Sequence, residues 1–234
     1  MTSPSASPQA DRLPWRSSDT LKALGWWFLA GTAAYVAVLP GDVTTGELFG
    51  IVLPVQSFGA IGAVAWMART RQPWREALAA RIEWVDWVGV LIGAALQIGL
   101  ALVLVTIVQE VFRGSVPDQE VVDAAAVAVG TLDKTLVAVS LIVVGPLSEE
   151  LLFRGVLLRG LLARHGRRFA VWASAGAFAA LHLLDPGAWL VAPLLTVLGV
   201  VMGNEVVRTG RLGRSVAIHA GFNLVTVLAL FTTT

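Results

Sequence analysis

The sequence predicts an all-α fold, a polytopic membrane helix bundle of about seven transmembrane helices, with eight as the alternative count. Three observations carry this. Hydrophobic residues make up 56% of the 234-residue chain and charged residues only 14%, whereas a soluble domain has about 25% charged residues. Apolar runs of roughly 17 to 25 residues recur between clusters of charge, the length a helix needs to cross hydrocarbon. The clusters also alternate: arginine-rich connections exchange with connections poor in basic residues. A soluble fold would need several helices of about 20 residues with no polar face, and a water-exposed surface does not supply a place for them.

Taken in order, residues 1–20 ("MTSPSASPQADRLPWRSSDT") are polar and rich in Ser and Pro, and read as a disordered cytoplasmic tail. No small-residue cleavage site precedes Trp26, so a cleaved signal peptide is not expected. Residues 21–231 form one transmembrane helical domain. Its expected spans are residues 21–39, 48–68, 84–108, 134–158, 169–184, 188–206 and 215–231. The stretch "VVDAAAVAVGTL" at 121–132 is short for a crossing and reads as an interfacial or re-entrant helix, or as an extension of the fourth span. Trp26–Trp27 and Trp84/Trp87 suit interfacial anchoring. Glycine-spaced segments at 59–65 and 89–99 suit close helix packing.

The basic clusters are Arg69, Arg71, Arg75 and Arg81; Arg159, Arg164, Arg167 and Arg168; Arg208, Arg211 and Arg214; and Arg12, Arg16 and Lys22 at the N-terminal flank. The intervening connections hold Asp42 and Glu47, then Arg113 among Glu110, Asp118, Glu120 and Asp123, then Asp185. Seven spans with a cytoplasmic N-terminus place every basic cluster on the cytoplasmic face, as the positive-inside rule requires. The Ala/Gly/Val/Arg-rich composition suits an integral protein of a bacterial cytoplasmic membrane. The absence of cysteine excludes disulfides, thiol nucleophiles and thiolate metal sites.

Strongly polar residues interrupt the apolar pattern in the C-terminal half, at about 134–231. "VSLIVVGPLSEELLFRGVLLRG" (139–160) carries Glu149, Glu150 and Arg154. Ionisable groups in hydrocarbon face a bundle interior or a cavity. Glu150 and Arg154 stand at i,i+4 and share a helix face, which predicts an internal ion pair; Glu149 points about 100° away and lacks that partner. Gly145–Pro146 predicts a kink. The fifth span brings His182 in "GAFAALHLLDPG", and the seventh brings His219 and Asn223, again i,i+4, in "RSVAIHAGFNLV". Gln56 and Gln97 read as packing. A carboxylate with two histidines suffices for hydrolysis, and nitrogen and oxygen ligands equally suit zinc with an open water position. Proton relay in a transporter and interhelical hydrogen bonding are the other readings. No HExxH, Gly-x-Ser-x-Gly or phosphate-loop motif is present.

"EELLFRG" from Glu149, "FAALH" from Phe178 to His182 and "HAGFN" from His219 to Asn223 resemble, in order, the three motifs of the CAAX prenyl endopeptidase family. That family, also called CPBP or Abi, comprises intramembrane proteases with some bacteriocin-immunity relatives. The likeness covers about residues 135–230, including the glycine-spaced block Gly199 to Asn223. It implies that Glu149 activates water with help from His182, and that His219 and Asn223 stabilise the charge developing on the scissile carbonyl. Glu150, Arg154 and Phe178 would support them. Family members are often classed as metalloproteases; a zinc ion, if used, would take Glu149, His182 and His219. The implied substrate is a hydrophobic or lipidated membrane-associated protein or peptide, reached from membrane lipid, with no nucleic-acid partner. A non-catalytic scaffold or bacteriocin-immunity protein is the alternative, and a small proton-coupled transporter a lesser one. Counted at 1.5 Å per residue, Glu149, His182 and His219 lie about 14, 20 and 6 Å from their basic span ends, so a single site requires span ends at different levels or tilted helices.

Overall fold

The computed structural model describes residues 15–38, 44–69, 80–113, 125–128 and 130–233. Among the described residues there are seven helical rods and no strand: α1 (Ser17–Val38), α2 (Thr45–Arg69), α3 (Trp84–Phe112), α4 (Gly130–Leu162), α5 (Arg167–His182), α6 (Ala192–Thr209) and α7 (Gly213–Thr233). Five of them, α1, α2, α3, α4 and α7, are long and apolar enough to cross a membrane. The remaining two, α5 with 16 residues and α6 with 18, reach only about 24 and 27 Å at 1.5 Å per residue, below the ~30 Å of a bilayer core.

Helix α4 is the centre of the bundle, touching α1, α2, α5, α6 and α7. In α4 and α7, 39% of the most apolar window is buried, against 11% in α3. The outer face of α3 (Leu91, Leu102 and Val103, all at least half exposed) is therefore a lipid-facing surface, as expected where the solvent is itself apolar.

Two breaks in helical register shape this core. In α2 the Leu53 amide bonds back five residues to Leu48, and in α4 the Gly145 amide bonds back five to Ser140. Each register shift precedes a proline, Pro54 and Pro146, which has no amide hydrogen to offer. The carbonyls of Phe49 and Leu141 thereby lose both their four-residue and five-residue donors. Each is satisfied by a side chain from another rod: Ser140 Oγ donates to Phe49 O, and Asn223 Nδ2 donates to Leu141 O at 2.7 Å. The kink expected at Gly145–Pro146 is thus a π-type widening of the turn, and a second one over Leu151–Leu158 follows the glutamate pair.

Gly89 and Gly93 on α3 are packing positions, as expected, while Gly99 meets no neighbour. A Cβ built on Gly93 would stand 1.9 Å from the Ile218 carbonyl oxygen, and one on Gly89 2.7 Å from that of Arg214; α3 and α7 touch backbone to backbone. Gly93→Val is expected to push α7 away from α3 and lower thermal stability in detergent. A variant with wild-type melting behaviour would contradict this packing.

Residues 15–20, expected as the end of the tail, are instead structured. Trp15 is fully buried, α1 starts at Ser17, and Asp19 accepts from the Arg16 amide at 2.7 Å. The reason is local: a carboxylate at the third helical position closes the first turn. Residues 1–14, with Arg12, lie outside the described residues, as do Arg71, Arg75, Asp42, Asp118, Glu120 and Asp123. Of the stretch 121–132, residues 121–124 and 129 lie outside them too. Ala125 and Ala126 make one helical turn, Ala125 and Ala128 pack in a small cluster with Phe49 and Val137, and Gly130, with φ +82°, starts α4.

Candidate active site

The site is built on α4. Glu150 and Arg154, both fully buried, meet at 2.8 Å between Oε1 and Nη1. The pair is not isolated. Glu150 Oε2 accepts from Ser215 Oγ, and Glu150 Oε1 lies 3.1 Å from His219 Nδ1. Arg154 Nη2 reaches the Gly199 carbonyl at 3.4 Å, and its guanidinium lies 4.6 Å from the centre of the Phe178 ring. Gly199 is required there, since a Cβ would meet Ala175 at 2.9 Å and Arg154 Nη2 at 3.2 Å.

His219 stands between the two glutamates. Glu150 is a carboxylate paired with a guanidinium and can only accept, so His219 Nδ1 carries the hydrogen of that contact. Nε2 then faces Glu149, 3.7 Å from Oε2. Glu149, 23% exposed at its side chain, borders a tight cleft with Leu24, Trp27, Ser148, Leu152, Phe153 and Leu181 that has no room for a water molecule as it stands. The two adjacent acids therefore stand in opposite surroundings: one saturated with donors and sealed, one partly exposed beside apolar side chains.

His182 joins this centre through Phe178. Its Nδ1 lies 3.0 Å from the Phe178 carbonyl, an acceptor, which assigns the hydrogen to Nδ1 and leaves Nε2 as an acceptor. The Phe178 ring, fully buried, stands edge-on to His182 at 4.8 Å and to His219 at 5.5 Å. The aromatic ring thus spaces both imidazoles and covers Arg154. The resemblance implies contact between Asn223 and a scissile carbonyl; Asn223 Nδ2 donates to the Leu141 carbonyl at 2.7 Å. Asn223→Leu leaves that carbonyl without a donor in an apolar setting, so a loss of about 1–3 kcal/mol in stability is expected, read by detergent melting, with Asn223→Gln recovering part of it. Equal stability of the Leu variant would show that the cap contributes nothing.

The candidate zinc set does not converge. Zinc ligands stand about 2.0–2.2 Å from a common point, yet among the described residues no group of three His, Asp or Glu is arranged to hold a metal ion. Each histidine has Nδ1 engaged, His219 by Glu150 and His182 by the Phe178 carbonyl, which leaves the two Nε2 atoms, and these do not meet Glu149 at a common point. The residues as arranged do not fit a zinc site.

Two contributors were not singled out in the sequence. Ser215 lies four residues before His219 and so shares a helix face with His219 and Asn223; that i, i+4, i+8 spacing is the signal that identifies it. Asp86, buried at 1% exposure, binds Arg211 through two contacts of 2.9 and 3.0 Å and Arg214 at 3.5 Å, and the Gly213 amide bonds to the Arg81 carbonyl at 3.1 Å. The Asp86 carboxylate holds the Arg211 guanidinium above its ordinary pKa by hydrogen bonding to it. Together these contacts fix the start of α7, six residues before His219.

Residues 131–225 match the family model described as Rce1-like, type II CAAX prenyl endopeptidase Rce1-like. The matched segment contains Glu149, Glu150, Arg154, Phe178, His182, Ser215, His219 and Asn223. No curated protein and no solved structure matches the chain. The C-terminal helices that carry the site are thus similar to the CAAX prenyl endopeptidase family.

Proposed function

We propose that the protein is an intramembrane endopeptidase that hydrolyses a peptide bond in a hydrophobic or lipidated membrane-associated substrate, with Glu149 as the general base. The observation that supports this most directly is the division of the glutamate pair. A base must be free to take a proton and must reach the reacting water; Glu150 has its oxygens occupied by Arg154, Ser215 and His219, while Glu149 is partly exposed and lies beside His219 Nε2.

In this reading a water hydrogen-bonded near Glu149 Oε2 gives up a proton to that carboxylate as its oxygen attacks the scissile carbonyl carbon. The carbonyl oxygen takes the negative charge beside His219, whose ring lies between Glu149 and Glu150. Collapse of the tetrahedral intermediate expels the amine, which takes the proton held by Glu149. His182 assists by accepting a water hydrogen at Nε2. A site shielded by apolar residues strengthens each of these interactions. The apolar side chains Leu24, Trp27, Leu152, Phe153 and Leu181 beside Glu149 would have to part to admit a hydrophobic segment, and a cytoplasmic N-terminus would set the arginine-rich ends of the rods on the cytoplasmic side.

The test is cleavage of a peptide library, with prenylated members, by detergent-solubilised protein, wild type against Glu149→Gln, with and without a chelator. Cleavage that survives the chelator and is lost in the mutant supports the glutamate mechanism. Chelator-sensitive cleavage assigns a metal, and no cleavage by wild type on any substrate turns the reading toward a scaffold or immunity role.

A further inference from the structure

Glu150 reaches beyond its salt bridge with Arg154. Its two oxygens are gripped from two helices, and α7 supplies two of the three grips. Oε1 takes Arg154 Nη1 from α4 at 2.8 Å and His219 Nδ1 from α7 at 3.1 Å. Oε2 takes Ser215 Oγ, also from α7. Ser215 is fully buried, His219 is 3% exposed and Glu150 is fully buried, so no solvent competes for these bonds. The terminal torsion of a glutamate is broad and weakly restrained on its own. A carboxylate held only through Oε1 can turn about that torsion and draw Oε1 away from the imidazole. With Oε2 pinned by Ser215, the carboxylate plane is fixed, and the direction of the His219 ring is fixed with it.

We propose that Ser215 is a positioning residue for hydrolysis: it holds Glu150 so that Glu150 holds His219 Nδ1, which turns His219 Nε2 toward Glu149. The proposal rests on the endopeptidase reading given above. Ser215 touches no reacting atom and acts only through Glu150. One helical turn separates it from His219, so α7 carries both the imidazole and the group that aligns the imidazole's partner. The clamp of Asp86 on Arg211 and Arg214 sets the height of that turn.

The test compares Ser215→Thr with Ser215→Val. These side chains have the same shape, so any steric cost of the extra methyl groups is shared, and only the hydroxyl differs. The Val variant is expected to lose about 10- to 100-fold in kcat with KM near the wild-type value, and the Thr variant to recover most of that loss. A second readout does not need turnover. The chain has three histidines, His165, His182 and His219, so ring-nitrogen NMR of histidine-labelled protein isolates His219 by comparison with His165→Gln and His182→Gln. Wild type is expected to show a single His219 species with hydrogen on Nδ1, and Ser215→Val and Ser215→Ala a mixture of ring states. Equal kcat for the Thr and Val variants, or an unchanged His219 signal in Val and Ala, overturns the proposal. If wild type cleaves nothing, the endopeptidase reading fails, and the NMR comparison still decides whether Ser215 sets the His219 ring.

Discussion

Glu149→Gln is expected to lower cleavage by about 100- to 10,000-fold, the usual contribution of a general base, while melting behaviour changes by less than about 1 kcal/mol. The reasoning is geometric. Gln has the same shape, and Glu149 makes few contacts that require its charge: His219 Nε2 lies 3.7 Å away, and the side chain is 23% exposed. Its neighbour supplies the control. Glu150→Gln removes the charge opposite a fully buried Arg154 and is expected to destabilise the bundle severely, so loss of activity there comes with loss of fold. Cleavage assays run beside detergent melting curves separate the two. A Glu149→Gln protein that cleaves at the wild-type rate would remove Glu149 from the chemistry.

The parts of this site readable in advance are those that depend on local spacing. Glu150 and Arg154 are four apart, so any helix brings them together, and the contact at 2.8 Å follows whatever the bundle does. The alternation of arginine clusters with poorly basic connections likewise needed no tertiary knowledge to place seven rods. What local spacing does not contain is the identity of partners across the bundle. Asp86 meets Arg211 from 125 positions away, and nothing in "EWVDWVG" marks that aspartate as the anchor of α7. Asn223 is harder still, because its partner is a backbone carbonyl that becomes available only when the helix slips into a π-type turn ahead of Pro146. The two prolines, 54 and 146, were visible, but which carbonyl each would orphan depends on register. The apparent disagreement in depth among Glu149, His182 and His219 has a similar origin. Helix α4 runs 12 residues past Glu150 to Leu162, while α7 begins six before His219, so the rod ends are not level. Depth counted from each end separately misjudges side chains that meet.

Arg154→Ala is expected to have the largest effect on stability of any substitution at the site, about 3–5 kcal/mol, because it leaves Glu150 as a buried charge without its cation. The surroundings offer no replacement: Ser215 and His219 already contact the carboxylate, and the space vacated lies against the Phe178 ring and the Gly199 backbone. Low yield of folded protein and loss of cleavage are expected together. Arg154→Lys should fall between, since a point charge keeps the attraction to Glu150 but cannot also span to the Gly199 carbonyl and lie flat on Phe178. Glu150→Gln combined with Arg154→Met makes the decisive comparison. Replacing a buried ion pair by uncharged residues of similar size is often neutral for stability, and Arg154 Nε already lacks a hydrogen-bond partner among the described residues, so the double variant is expected to melt closer to wild type than Arg154→Ala does. It should nonetheless remain inactive, because a neutral amide no longer fixes the hydrogen on His219 Nδ1. Recovery of both stability and cleavage would reduce Glu150 and Arg154 to a packing element; recovery of stability alone would make the pair a device for orienting His219, held buried at a stability cost that an apolar pair avoids.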